Sequence, residues 1–253
     1  MKEQLERIVH EIPYNTFRPT MEKSGKTCPM QLGGDCIYQN RLLGQALRRD
    51  GYKTGFLRTV SYDKILHVAT VGMDGDELFY LDPFIMHTDP IPLTHVLKRG
   101  KPYLVKAFPK SGKHGNKIMV KPTGKKSFDV SLFWVTPRSY VPVRAYPFSL
   151  DGMKDTLPSS SESAKEKPPK RRITLRIPVE NGDVVHLNLN YGTGLMDIAA
   201  YDAFGGSATI QQKDDPGLFD SQFMKISEAI HLQPHRIREA FYSSLNLCLQ
   251  NLE

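Results

Sequence analysis

Cys36, His67 and Asp82 are the side-chain types that together make a sulfur nucleophile, and they occur in that order along the chain. A thiol attacks as its anion, so it needs a base within hydrogen-bond reach. The base in turn needs a carboxylate to fix its tautomer and orientation. Cys36 lies in "QLGGDCIYQNRLLGQALRRDGY", which begins at Gln31. Gly33 and Gly34 let the backbone come close, and a helical pattern starts at the cysteine itself. A helix N-terminus favours a thiolate. The plainer alternative is packing, because free cysteine is among the most buried residue types.

The elements needed to bring these residues together can be read from periodicity. "EQLERIVHEI" places Leu5, Ile8, Val9 and Ile12 on one helical face, ended by Pro13. "RPTMEKSGKTCPMQLGG" has the composition of a loop. From Cys36 to Arg49 the apolar residues return at helical spacing, with Gly51 as the stop. After Gly51 the period shortens. "KTGFLRTVSY", "LHVATVGM" and "ELFYLDPF" are rich in β-branched and aromatic residues. Asp74-Gly75 between the last two signals a hairpin. His67 then begins one strand and Asp82 ends its partner, near the same end of the sheet. "PYLVKAF", "NKIMVKP" and "FDVSLFWVT" extend the strand series, which suggests a barrel or a curled sheet.

Four segments follow: 1–52 helical with the nucleophile, 53–153 β-rich with His67 and Asp82, 154–171 a linker, and 172–253 a C-terminal α/β region. "KDTLPSSSESAKEKPPKRR" has almost nothing to bury. Beyond it "ITLRIPVENGDVVHLNLNY" reads as a hairpin about Asn181-Gly182, and two helical patterns complete the chain.

At this point the residues carry a resemblance. "GGDCIYQN" is similar to the active-site signature of the arylamine N-acetyltransferases, Arg-Gly-Gly-x-Cys-[Phe/Leu]-[Glu/Gln]-x-Asn, through Gly33, Gly34, Cys36 and Asn40. "IPYNTF" resembles that family's Ile-Pro-Phe-Glu-Asn-Leu, "LHVATV" its histidine-bearing strand, and "YLDPF" the strand that supplies its aspartate. Leu32, Tyr38 and Pro83 depart from the pattern. The match runs from about Ile12 to Met86, thins through the middle strands and is weak after the linker.

The resemblance implies an α+β fold with an N-terminal helical bundle, a central β-barrel and a C-terminal α/β lid around a papain-like core. It implies that acyl-coenzyme A, such as acetyl-coenzyme A, acylates Cys36, with His67 moving protons and Asp82 holding the imidazole. A small-molecule amine then takes the acyl group. Gly34, Asp35 and Phe84 would line the acyl pocket. Gly33 and Asn40 would support it, and backbone N–H groups behind Cys36 would meet the oxyanion.

Two other functions fit the residues. One is a Cys-His-Asp hydrolase or amide synthase acting on peptide or carrier-bound substrates. The other is a polyanion-binding module with a vestigial triad. The chain of 253 residues carries a formal charge of +7, yet Lys98 to Lys126 holds ten Lys or Arg and no acid, which leaves the remainder at −3. Such a patch suits phosphate, as does a solvated strand pair with lysines on its edges. No nucleic-acid motif accompanies it, and nucleic acid is not the expected partner.

The chain has neither a phosphate loop nor a dinucleotide fingerprint. It contains no apolar run of membrane-spanning length, and its first residues do not read as a secretory signal. Cys28, Cys36 and Cys248 make no disulfide framework, and the expected setting is the cytoplasm, without a membrane partner. Cys28 reads as incidental and Cys248 as core. His231 and His235 are four apart, but Pro234 starts a helix between them, so no metal is expected.

Overall fold

The computed structural model describes residues 1–61, 64–108, 116–135, 140–157, 172–178, 184–190, 197–201, 207–211 and 216–250. It is an α+β fold of antiparallel sheets and helices. Helix α1 (Lys2–Glu11) buries Leu5, Ile8 and Val9, the stripe read from the sequence. Strand β1 (Tyr14–Asn15) follows. Next, "RPTMEK" forms a short helix α2 (Arg18–Lys23), where composition had suggested only loop. The Asn15 side chain starts it by accepting from the amides of Phe17 at 3.2 Å and Arg18 at 2.8 Å. Proline in the first turn costs that helix no hydrogen bond.

Helix α3 (Cys36–Arg49) has the predicted bounds, with Asp35 as its N-cap. Strands β2 (Lys53–Ser61), β3 (Lys64–Asp74), β4 (Glu77–Leu81) and β5 (Ile91–Pro92) form one sheet in that order. Helix α4 (Leu93–Arg99) leads to a second sheet of β6 (Tyr103–Ala107), β7 (Asn116–Pro122), β8 (Ser127–Val135) and β9 (Tyr140–Ser149). Their inner faces share one core, with Leu57, Ala69, Val71 and Tyr80 against Ile118, Val120, Phe128 and Phe148.

The expected barrel does not close. Among the described residues the hydrogen-bonded ladders end at β2 and β9, giving two open sheets. Pro147 supplies a reason. Its carbonyl faces β2 and accepts from the Thr59 hydroxyl at 2.7 Å. A residue's N–H and C=O point the same way across a strand, so the donor proline lacks is the one a ladder to β2 would use there.

Strands β10 (Arg172–Pro178) and β11 (Val184–Asn190) pair antiparallel as predicted, while Asn181-Gly182 lies outside the described residues. A further hairpin of β12 (Asp197–Tyr201) and β13 (Ser207–Gln211) precedes helices α5 (Pro216–Ile230) and α6 (Pro234–Gln250). The C-terminal part is woven into the N-terminal part. Strand β10 pairs with β1, setting Tyr14 opposite Arg176. Phe17, Met21, Cys28 and Leu32 are buried with Ile173, Leu175, Leu187, Phe223 and Phe241 in one cluster. The start of the expected linker is also fixed to the fold. Lys154 exchanges backbone hydrogen bonds with Phe56, and Arg48 and Arg58 bond the carbonyls of Asp155 and Thr156. Residues 158–171 lie outside the described set. No described helix is long and apolar enough to cross a membrane.

Candidate active site

Cys36, His67 and Asp82 meet at the junction of α3 with the first sheet. His67 lies inside β3 and not at its start, opposite Thr59 on β2. Thr70 pairs with Leu81, which puts Asp82 one step past the end of β4 and diagonal to His67. The imidazole Nε2 lies 2.6 Å from Asp82 Oδ2. The Cys36 sulfur lies near enough to the ring to help raise its pKa. With Nε2 held by the carboxylate, Nδ1 is the nitrogen left for the thiol.

The carboxylate of Asp82 is fully buried and well supplied with donors. Oδ2 also accepts from the Tyr80 hydroxyl at 2.8 Å, and Oδ1 accepts from the Phe84 amide at 3.1 Å. The Asp82 amide donates to His87 Nε2 at 2.9 Å, and His87 Nδ1 donates to the Asp89 carbonyl at 2.9 Å. Those two bonds make His87 a neutral spacer that fixes the backbone beneath the carboxylate. Pro83, a departure from the family pattern, opens a short 3₁₀ turn (Pro83–Ile85) capped by Asp82, a position that needs no N–H.

Burial alone would lower the pKa of His67. The charge of Asp82 and its hydrogen bond, then the contacts with Cys36, outweigh it and raise the ring from 6.5 to about 9. At neutral pH the ring is therefore an imidazolium beside a sulfur at a helix N-terminus. Burial and the Asp82 charge hold the Tyr80 phenol well above its ordinary range, so it stays a donor.

The supporting residues each have a visible task. Asn40 Nδ2 donates to the Cys36 carbonyl at 2.8 Å and the Val68 carbonyl at 3.0 Å, while its Oδ1 accepts from Thr70 at 2.8 Å. One buried amide thus ties the cysteine-bearing helix to the histidine-bearing strand. The Gly34 amide donates to the Pro13 carbonyl at 3.1 Å, and its carbonyl accepts from the Asn15 amide at 2.9 Å. Arg18, buried under the Tyr38 ring, holds the carbonyls of Gly33 and Pro29. Leu32, where the family pattern has arginine, is fully buried in the cluster shared with the C-terminal helices.

Gly33 has φ +65° and ψ −140°, and a Cβ there would fall 1.9 Å from the Pro13 carbonyl oxygen. That backbone region is essentially open to glycine alone. Gly33→Ala is expected to destabilise the fold by at least about 3 kcal/mol, read from urea unfolding. Gly51→Ala, at φ +87° with nothing near its Cβ, should cost only about 1–2 kcal/mol. Equal losses at the two positions would show that close approach at Gly33 is unimportant.

Of the expected pocket residues, Phe84 does face the site. Its ring centroid lies 4.7 Å from that of His67. Asp35 instead turns its carboxylate onto its own helix, where Oδ1 accepts from the amides of Ile37 at 3.1 Å and Tyr38 at 3.0 Å. Those two amides, expected to meet an oxyanion, are already occupied. Sequence reading missed Tyr14, Tyr146 and Arg176. The Tyr146 ring lies 4.3 Å from the imidazole, and the Arg176 guanidinium sits over Phe84 at 4.4 Å and Tyr14 at 4.8 Å. Tyr14 stands within "IPYNTF", so a signal existed for it. Arg176 is one polar position in an alternating strand and gave none.

Cys36 is 5 % exposed and His67 1 %, so the sulfur is nearly enclosed, packed in one cluster with Tyr14, Phe84 and Tyr146. Cys28 is buried and its thiol is pushed up to about 11, chiefly by burial, which leaves it inert. Cys248 lies on α6. His231 falls in the turn after α5 and His235 in the first turn of α6, and no group of three potential ligands gathers among the described residues. Compared with protein-family models and with curated proteins, the chain matches none.

Proposed function

We propose that this protein is a thiol acyltransferase, a divergent relative of the arylamine N-acetyltransferases, that moves an acyl group from an acyl-coenzyme A to a small amine through a thioester on Cys36. The observation that carries this reading is the gathering of a buried thiol, a buried imidazole and a buried carboxylate at one place, with Nε2 on Asp82 at 2.6 Å. The helical segment, the two sheets and the C-terminal α/β part would then stand for the bundle, barrel and lid of that family.

In the first half-reaction the Cys36 thiolate attacks the thioester carbonyl carbon. A new C–S bond forms, the carbonyl electron pair moves to oxygen, and collapse expels coenzyme A thiolate, which takes the proton from the His67 imidazolium. In the second, an amine attacks the acyl-cysteine, the now neutral His67 accepts the amine's proton, and Cys36 leaves as thiolate. Enclosure of the sulfur by Tyr14, Phe84 and Tyr146 supports transfer to an amine over loss to water. Exposed lysines of the basic segment suit the phosphates of coenzyme A. A reducing cytoplasm suits a free catalytic thiol and this donor.

Intact-mass spectrometry after mixing with a panel of acyl-coenzyme A thioesters tests the reading. The expected result is one acyl increment in the wild type, lost on adding an amine with matching amide product. Release of free acid with no amine present would favour the hydrolase. No increment from any donor would overturn acyl transfer.

A further inference from the structure

An acyl-accepting sulfur needs donors aimed at the oxygen that gains charge. The helix that begins at Cys36 cannot offer its next two amides, because Asp35 Oδ1 already holds Ile37 N–H and Tyr38 N–H. Within this turn the amide of Cys36 is the one that no hydrogen bond among the described residues uses. A second donor must come from outside the helix.

Tyr14 stands in the right place. Its backbone bridges Gly34, two residues before the nucleophile, and the chain on either side is pinned by the bonds between Gly34, Pro13 and Asn15. The side chain is 8 % exposed and belongs to the same buried cluster as Cys36 and Phe84. Its ring meets Phe84 edge-on at 4.8 Å, and Phe84 meets His67. No hydrogen bond among the described residues uses its hydroxyl, which leaves that O–H free to donate. We propose that the Tyr14 hydroxyl and the Cys36 amide together hold the oxyanion formed at Cys36.

The electrostatics agree. Burial and then the Cys36 charge hold the Tyr14 phenol above its ordinary range, with Arg176 opposing, so it remains O–H and can donate. When the carbonyl electron pair moves to oxygen, Tyr14 O–H and Cys36 N–H each donate to it. On collapse the pair returns, the leaving group departs, and neither donor loses its proton. Arg176, stacked on the Tyr14 ring, adds positive charge behind the hydroxyl.

The inference rests on Cys36 as the acyl-accepting nucleophile, and its test separates the two. Wild type and Tyr14→Phe are compared with two probes, p-nitrophenyl acetate and iodoacetamide. The ester forms an oxyanion at the sulfur, whereas alkylation displaces iodide and forms none. Phenylalanine keeps the ring contacts. Acylation by the ester is expected to fall about 100-fold in Tyr14→Phe, with alkylation within twofold of wild type. Equal loss with both probes would make Tyr14 a structural or thiol-activating residue and overturn the proposal. Unchanged acylation would assign the oxyanion to other donors while leaving the Cys36 reading intact. A wild type that is alkylated but never acylated would overturn acyl transfer itself, and the role of Tyr14 with it.

Discussion

Cys36→Ser is expected to lower acyl uptake from thioesters by roughly 10⁴-fold or more, with little change in thermal stability. The replacement nearly keeps the shape of a side chain that packs in a closed cluster with Tyr14, Phe84 and Tyr146. What changes is the proton. The imidazolium of His67 stands against a sulfur that can exist as an anion, and an alcohol in the same place holds its proton far more tightly. A serine there is hydrogen-bonded but not charged, so attack loses its nucleophile while the oxyanion donors remain. Cys28→Ser is the matching control. That thiol is 4 % exposed and raised to about 11, so its loss should leave labelling and transfer unchanged. Mass spectrometry of both variants after incubation with acyl thioesters reads the result directly. An adduct that survives Cys36→Ser and disappears in Cys28→Ser would remove the foundation of the proposed function.

The parts of this site that follow local rules were legible in the sequence. The apolar helical repeat marks α3, which begins and ends where the repeat says, while Asp35, read as a pocket residue, is spent on capping it. The Asp74-Gly75 turn sets the β3–β4 register, and that register alone brings His67 and Asp82 to one end of the sheet. What could not be read depends on contacts between distant segments. Arg176 enters the site because β10 pairs with a two-residue strand, β1, whose length gives no periodicity at all. Leu32 is apolar because it faces Phe223 and Phe241, about 200 residues later in the chain. Closure of the barrel failed on a proline whose effect depends on which strand its carbonyl faces. The role of Asn40 was half visible. Its helical position predicted a support for the cysteine loop, but not the reach across to Val68 and Thr70.

Asp82→Asn tests the link between the carboxylate and the proton on His67, and its effect follows from the hydrogen bonds around that one side chain. Phe84 N–H is a fixed donor to Oδ1, and Tyr80 O–H can rotate. The single oxygen of asparagine is therefore drawn to the Phe84 amide, which turns its NH₂ toward Tyr80 and His67. Facing a donor, His67 Nε2 must become an acceptor, so the ring proton moves to Nδ1, against the thiol. A ring in that tautomer cannot take the proton from sulfur, and transfer is expected to fall about 10³- to 10⁴-fold. The pH dependence of stability gives a second, independent reading. In the wild type the His67 pKa is raised from 6.5 to about 9, so its stabilisation is complete below pH 6.5 and lost as pH rises through 9. With the Asp82 charge removed, burial lowers the ring's pKa, and the loss of stability between those pH values should disappear. Thermal melts of both proteins across that range check the sign. A variant that keeps the wild-type slope and near wild-type transfer would show that Asp82 neither orients nor charges the imidazole.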